Sequence, residues 1–230
     1  MTVHNQQFNV SYISAPKCAS TSLKTFFFEL ENGFEWRNYR RNGFVVHIHH
    51  CYPARDFDVA IEGRREGAFT FTLLRDPVER LVSCYKNRIR TGPAAEMLAA
   101  RPGRARNLGL EVKPSFAAFV DNIEGYREFS ADVAAHSNPL VKYLGRDASV
   151  YDRIYDISEM DVVFADLQRI CGVVPQIQHL QRRGKEVQVT EVDADTEAKI
   201  KTFYAEDYAV FGEEFEKQRS KHTLAHRAEA

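Results

Sequence analysis

The chain has 230 residues, of which 44% are hydrophobic and 27% are charged, and its formal net charge is -1. These values are typical of a soluble globular domain and argue against a disordered, collagen-like or coiled-coil protein. A near-zero charge also gives no support to a general nucleic-acid-binding protein, which usually has a basic excess. We expect one α/β domain over residues 1–230, with a frayed tail from about residue 216.

The predicted elements alternate between strands and helices. Strands are predicted at residues 8–14, 44–50, 68–74 and 153–157. Helices are predicted from about residue 20 to Gly33, then at 53–65, 78–89, 115–123, 161–171 and 193–215, the last with a break near Asp207. Residues 91–114 contain three prolines and predict a long substrate loop or lid with room for one short helix. This alternation predicts a mostly parallel sheet covered by helices.

Charge is distributed unevenly along these elements. Residues 1–110 hold 16 Lys and Arg against 10 Asp and Glu, whereas the remaining residues hold 15 against 22. Either the first half binds an anionic ligand, or the surface charges are distributed by chance.

Cysteine usage and hydropathy predict the compartment. Cys18, Cys51, Cys84 and Cys171 are scattered and form no CxxC pair, which does not suggest a disulfide scaffold. The first residues lack the basic and apolar regions of a secretory signal, and no apolar run is long enough to span a membrane. We therefore predict a cytoplasmic protein.

The first candidate anion site is the turn between the first strand and helix, with the sequence PKCASTS from Pro16 to Ser22. Small residues here let backbone N–H groups converge, and a helix N-terminus adds about half a positive charge. Lys17 and the hydroxyls of Ser20, Thr21 and Ser22 complete a phosphate-sized cradle. The motif is not a Walker A loop, whose glycines are absent. The alternative is an ordinary helix capped by one of these hydroxyls.

The second candidate site follows the 68–74 strand, where Arg75 precedes a helix that carries Ser83. Both side chains meet one anion if the helix folds back beside the strand, with Pro77 in its first turn. The alternative is that Arg75 pairs with a carboxylate such as Asp76 while Ser83 only packs.

Three histidines, His47, His49 and His50, lie in the predicted 44–50 strand. On a strand, His47 and His49 share one face and His50 points to the other. Histidine suits proton transfer near neutral pH. The alternative for each is a structural role. A metal site is not expected, because the histidines lack acidic or cysteine partners at ligand spacing.

Together, the two anion motifs resemble those of the PAPS-dependent sulfotransferases. PKCASTSL is similar to that family's 5′-phosphosulfate loop, and RDPVERLVSCY is similar to its 3′-phosphate motif. His47-Ile48-His49 resembles a His-x-His strand of the uronyl and heparan 2-O branch, and residues 152–156 and 204–212 resemble later segments of that carbohydrate branch. The resemblance covers about residues 8–212. The loop departs from many members by having Cys18-Ala19 in place of Thr-Gly or Val-Gly.

The resemblance implies a P-loop-like three-layer α/β fold with a central, mostly parallel sheet. It implies direct in-line transfer of a sulfuryl group from 3′-phosphoadenosine 5′-phosphosulfate (PAPS) to a hydroxyl acceptor, which we expect to be a carbohydrate or glycoconjugate. The product nucleotide is then adenosine 3′,5′-bisphosphate (PAP). No metal, nucleic-acid partner or membrane span is expected, and the resemblance gives no oligomeric state.

The resemblance also assigns roles to residues. Lys17 would contact the 5′-phosphate and the bridging oxygen, and Arg75 and Ser83 would hold the 3′-phosphate. His49 is the predicted general base, with His47 as the second choice. The 5′-phosphate would be held by the rest of the loop: Pro16, Cys18, Ala19, Ser20, Thr21 and Ser22.

Other functions remain as alternatives. One is a non-catalytic nucleotide-binding relative, and another is a P-loop kinase of a different type. A cysteine phosphatase requires C-x₅-R, but here Lys24 stands at the arginine position after Cys18. Trp36, Tyr39 and the arginines of the 91–114 segment either contact the acceptor or serve packing and solvation. Arg80 and His136 are predicted to be structural.

Overall fold

The computed structural model describes residues 2–172 and 192–228. These residues fall into two compact units. Unit 1 takes the chain up to Leu74, the segment that begins at Leu140, and the segment that begins at Val210. Unit 2 takes Arg75–Pro139 and the segment that ends at Ala209. One domain spanning the whole chain stays a prediction.

The sheets lie in unit 1. The strands are β1 (Val3–Asn5), β2 (Val10–Tyr12), β3 (Tyr39–Arg41), β4 (Phe44–Val46), β5 (Phe69–Leu74) and β6 (Arg153–Asp156). The main sheet has the order β1-β2-β5-β6, in which β2–β5 and β5–β6 are parallel and β1–β2 is antiparallel. The predicted α/β class with a mostly parallel central sheet is confirmed.

Helices make up most of the remaining described structure. They are α1 (Ser20–Asn32), α2 (Ile48–Cys51), α3 (Phe57–Ile61), α4 (Pro77–Cys84), α5 (Pro93–Ala100), α6 (Pro102–Asn107), α7 (Phe116–Asp121), α8 (Ile123–Phe129), α9 (Ala131–Ser137), α10 (Val141–Leu144), α11 (Met160–Cys171), α12 (Ala194–Phe203) and α13 (Ala205–Ala228). A π-helical segment, Tyr85–Arg90, continues α4. Short 3₁₀ turns flank β6 at Ala148–Val150 and Ile157–Glu159.

Each unit has its own buried core. In unit 1, Tyr12 and Phe71 stack at 5.1 Å between ring centroids on neighbouring strands, and both are fully buried. In unit 2, a cluster of apolar residues from α4 to α9 and α12 packs around Leu98, Phe119 and Val133. Apolar burial of this kind is the main stabilising contribution to either unit.

Several local predictions hold in the structure. Pro77 occupies the first turn of α4, where its missing N–H costs nothing. Gly33 and Gly172 end α1 and α11 in the left-handed conformation, with φ of 75° and 66°. The β5 strand begins one residue later than predicted and ends at Leu74 as predicted.

Other boundaries are wrong. The 44–50 strand stops at Val46, because His47 caps α2. The 53–65 helix is only Phe57–Ile61. The 91–114 loop contains α5 and α6, whose prolines start helices instead of breaking them.

The C-terminal region also departs from prediction. Its break falls at Tyr204 instead of Asp207, between α12 and α13. The α13 helix runs to Ala228, so residues 216–228 are helical where a frayed tail is predicted, in keeping with their many strong helix formers. None of the helices in the described part of the chain combines the length and apolarity that crossing a membrane requires.

Candidate functional site

The turn after β2 has an unusual backbone. Lys17 and Ala19 have positive φ values of 68° and 50°. A non-glycine residue in this region costs about 1–2 kcal/mol, and such strain clusters at functional sites. Turns that contain left-handed residues also direct successive N–H groups into one concavity that binds anions. The strain therefore points to the turn from Pro16 to Ala19 as a binding element.

The N-terminus of α1 has no acidic cap. Ala19 is the N-cap and has no side-chain acceptor, and the first turn contains no acidic residue. The prediction that a hydroxyl of Ser20, Thr21 or Ser22 caps the helix is wrong, because all three lie inside the first turn. Their hydroxyls and the positive helix end together fit a phosphate or sulfate group.

His49 lies against this helix, although residues 21 and 49 are far apart in sequence. Its Nε2 is 3.1 Å from Oγ1 of Thr21, and its Nδ1 is 3.4 Å from Nζ of Lys24. Both ring nitrogens of His49 therefore contact α1. The structure brings the predicted base to the predicted anion loop within unit 1.

The other two histidines form the start of α2. The His47 side chain accepts a hydrogen bond from the backbone N–H of His49, and Nδ1 of His50 accepts one from the backbone N–H of His47 at 2.8 Å. The rings of His47 and His49 stack at 4.8 Å. The two are thus neighbours through a helix cap, and the strand-face argument for them is wrong. These contacts favour His49 over His47 as the proton acceptor.

Lys24 is a site residue that sequence reasoning missed. It is 1% exposed, and burial lowers its pKa to about 8. A lysine within the mostly apolar stretch from Leu23 to Phe27 is the signal that could have identified it, because fully buried lysines are rare unless they are paired. Nothing in the local sequence indicates that His49 is its partner.

The second candidate site lies in unit 2 on α4. Arg75 is mostly buried, and its Nε is 3.4 Å from Oε2 of Glu79. Ser83 is buried in the last turn of α4, where Nδ2 of Asn87 donates to its carbonyl at 2.8 Å and lies 3.5 Å from its Oγ. The carboxylate near Arg75 is thus Glu79, because Asp76 caps α4 by accepting from the N–H of Val78.

Arg80, on the same helix, has a structural environment. It is fully buried, its guanidinium donates to the carbonyl of Asn138, and it lies 5.2 Å from the ring centre of Tyr204. The hydroxyl of Tyr204 donates to the carbonyl of Ser137 at 2.7 Å. These contacts agree with the predicted structural role of Arg80. They also show that Tyr204, the first residue of the 204–212 segment that resembles the carbohydrate branch, packs against Arg80.

His136 and the 152–156 segment are likewise engaged in structure. Nδ1 of His136 is 2.7 Å from the carbonyl oxygen of Asp132, and its Nε2 is 2.8 Å from Arg88. Tyr155 donates to Asp166 of α11 at 2.7 Å, and the side chain of Asp152 accepts from the backbone N–H of Thr70. The 152–156 segment therefore contains residues that hold β6 against α11 and β5.

A hairpin next to the histidines presents aromatic and basic side chains. It consists of β3 and β4, joined by Asn42 and Gly43 with φ values of 51° and 82°. Asn-Gly is a strong signal for a type I′ hairpin, and the sequence reasoning overlooked it. Phe44 is 78% exposed, and the chain leaves β4 directly into His47. Trp36, Tyr39, Arg40 and Arg41 lie on or beside this hairpin, and of these only Trp36 is half-buried.

Cys18 has no access to solvent, at 0% exposure, which disfavours its use as a phosphatase nucleophile. No group of three or more His, Cys, Asp or Glu within residues 2–172 and 192–228 is arranged to hold a metal ion.

Comparison with known proteins gives one family. A model of the sulfotransferase family matches residues 1–215. No curated protein and no solved structure matches the chain.

Proposed function

This chain belongs to the sulfotransferase family and so transfers sulfuryl groups, and we propose that its donor is PAPS and its acceptor a hydroxyl of a carbohydrate or glycoconjugate. The observation that carries the proposal is the strained turn from Pro16 to Ala19, with His49 in contact with the helix that follows it. PAPS supplies the sulfuryl group and a phosphate leaving group.

The loop would act through charge and position. The backbone N–H groups at the start of α1, with the hydroxyls of Ser20, Thr21 and Ser22, are proposed to bind the 5′-phosphate. The ammonium of Lys17 would stabilise the charge that grows on the bridging oxygen. Fixed dipoles and charges of this kind account for most of the catalysis in group transfers of this type.

His49 is proposed to remove the proton of the acceptor. As the acceptor oxygen bonds to sulfur, the bond between sulfur and the bridging oxygen breaks, and the hydroxyl proton passes to Nε2 of His49. A well-placed general base contributes about 10²–10⁴-fold to a rate. His47 remains the second choice, because its ring is occupied in capping α2.

Arg75 and Ser83 are proposed to bind the 3′-phosphate. The support is the resemblance of their motif, together with the burial of Arg75, whose Nε lies 3.4 Å from Oε2 of Glu79. Arginine suits this role because its planar group binds phosphate oxygens in pairs.

The hairpin favours an anionic sugar as the acceptor. Its exposed aromatic rings offer flat apolar faces, and the exposed Arg40 and Arg41 offer positive charge. Sugars with carboxylate or sulfate groups match both features. Arg101, Arg104 and Arg106 are also exposed, but Arg104 lies over the ring of Phe129 at 5.1 Å, which favours packing there.

The test is transfer of radiolabelled sulfate from PAPS to a panel of uronate-containing glycans, neutral glycans, phenols and glycolipids. We expect label in the uronate-containing glycans, and a loss of about 10²–10³-fold in kcat for Lys17→Ala, the size typical of removing one transition-state donor. Lys113→Ala is the control, because Lys113 is exposed in unit 2.

Two outcomes would contradict the proposal. Full activity of Lys17→Ala would remove the loop from the mechanism. Tight binding of PAP without transfer to any acceptor would favour the non-catalytic relative instead.

A further inference from the structure

The contact between Lys24 and His49 has a chemical consequence for the imidazole. A charged ammonium has three hydrogens and no lone pair, so it can only donate. Because Nζ of Lys24 lies 3.4 Å from Nδ1 of His49, a charged Lys24 makes Nδ1 the acceptor. The hydrogen of a neutral His49 then stays on Nε2, which points to Oγ1 of Thr21 at 3.1 Å.

A neutral Lys24 permits the reverse arrangement. An amine has a lone pair, so Nδ1 can carry the hydrogen and donate it to Nζ. The lone pair of Nε2 then becomes available, and the hydroxyl of Thr21 can donate to it or be displaced by the acceptor hydroxyl. Only this second state lets Nε2 remove a proton.

We propose that Lys24 is a positioning residue that determines which nitrogen of His49 carries the hydrogen, so that His49 is competent as a base only when Lys24 is neutral. The proposal rests on the proposed role of His49. No proton, electron or co-reactant is needed beyond one proton released to solvent when Lys24 becomes neutral.

The burial of Lys24 supports a change from its charged to its neutral form within an accessible pH range. Burial lowers its pKa to about 8, compared with 10.5 for an ordinary lysine. Because the two groups are in contact, the observed titration belongs to the pair.

Other titratable groups on the neighbouring elements do not replace this interaction. On α2 and its cap, the ring of His47 stacks on His49, His50 bonds to the backbone of His47, and Cys51 ends the helix. Tyr52 follows α2 and donates to Glu31 of α1 at 2.5 Å, which engages that carboxylate.

The anion loop adds two more such groups, Lys17 and Cys18. Cys18 is fully buried, and Lys17 is half-buried. Variants that change only Lys24 leave all of these other titratable groups unchanged, so a comparison of those variants isolates the effect of Lys24.

The direct test is ¹⁵N NMR of histidine in the full chain without substrates, because imidazole ¹⁵N shifts report which nitrogen carries hydrogen. His49→Gln identifies the resonance. In the wild type we expect the Nε2–H form near pH 7 and a change to the Nδ1–H form through about pH 8. In Lys24→Met this change near pH 8 should disappear. A wild-type His49 that keeps its hydrogen on Nε2 above pH 9 would overturn the proposal.

Activity gives a second test, with opposite expectations for two variants. The wild-type kcat/KM should rise with pH through about 8. Lys24→Met removes the ammonium, so its rise should lie at lower pH than that of the wild type. Lys24→Arg stays charged at every accessible pH, so it should lose at least tenfold at pH 8.5 and show no rise. Lys24→Gln repeats the Met comparison with a polar side chain.

These results separate the two proposals. A structural role for Lys24 would lower kcat for all three variants without moving the pH profile, which would overturn the inference. If NMR shows the change of tautomer but His49→Ala keeps full activity, control of the tautomer stands and the proposed base is wrong.

Discussion

The α1 and α4 helices both begin soon after a parallel strand, but they differ in the capping and the charge of their N-terminal turns. The first turn of α1 has no side-chain cap and no acidic residue among the described residues. The first turn of α4 has Asp76, which accepts from the N–H of Val78 at 2.8 Å, and also contains Glu79. The first turn of α1 thus lacks the acidic groups that the start of α4 has, where Asp76 caps the helix and Glu79 lies in the first turn.

This difference determines how each helix can hold a phosphate. At α1 we propose that backbone N–H groups contribute to phosphate binding, in a turn where Lys17 and Ala19 have positive φ values. At α4 we propose that the side chains of Arg75 and Ser83 bind the phosphate. For binding of PAP, substitution of side chains should therefore have its main effect at the α4 element, and added negative charge should have its main effect at the α1 element.

For binding of PAP, the largest effect in this comparison is expected at Arg75. Arg75→Ala should weaken binding of PAP by about 10–100-fold, because a hydrogen bond to a charged group contributes about 1.5–3 kcal/mol. Arg75→Lys should fall between, since it keeps the charge and loses the paired geometry. Titration calorimetry measures the Kd, with exposed Arg55→Ala as the control. Adenosine 5′-monophosphate lacks the 3′-phosphate, so equal weakening for both nucleotides would contradict the assignment.

A smaller effect is expected when α1 is given the kind of cap that α4 has. Ala19→Asp places a carboxylate at the open N-terminus, and aspartate tolerates the left-handed conformation found there. We expect about tenfold weaker binding of PAP from a charge effect of roughly 1–2 kcal/mol. Ala19→Asn has nearly the same shape without the charge and should bind more tightly than Ala19→Asp. Equal affinities for the two variants would show that no anion binds at this helix end.

The smallest expected effect is the loss of the α4 cap. Asp76→Ala should lower the free energy of unfolding by about 1 kcal/mol, because one N–H of the first turn loses its acceptor. Urea denaturation measures this change, and Asp76→Asn, which keeps an acceptor oxygen, should restore most of it. An unchanged midpoint for Asp76→Ala would mean that the cap contributes no stability.

The sequence predicted those parts of the fold that depend on local chemistry. The positive φ of Gly33 and Gly172 and the place of Pro77 follow from what those residues allow. The same local rules misled the prediction at Pro93 and Pro102, because proline starts helices as well as ending them. The antiparallel β1 was not predicted, since its three residues have no pattern of their own.

The candidate site depends on contacts between distant residues, which a pattern cannot show. The loop from Pro16 to Ser22 was identified from its residue types, yet its left-handed backbone at Ala19 appears only in three dimensions. Lys24 meets His49 across 25 positions of sequence. Which histidine contacts α1 and which caps α2 depends on the end of β4 at Val46, a boundary that the alternation of apolar residues does not define.

Because α2 is short, the position of the candidate base His49 depends on contacts between α2 and a neighbouring helix. A helix of four residues has no stability of its own in water. Its place depends on contacts with α1, through His49 at one end and through the bond from Tyr52 to Glu31 at the other. In hydrogen exchange, the amides of α2 should therefore open in a local event whose free energy those contacts set, well below that of global unfolding. The proposed catalytic histidine thus owes its position to the longer helix beside it.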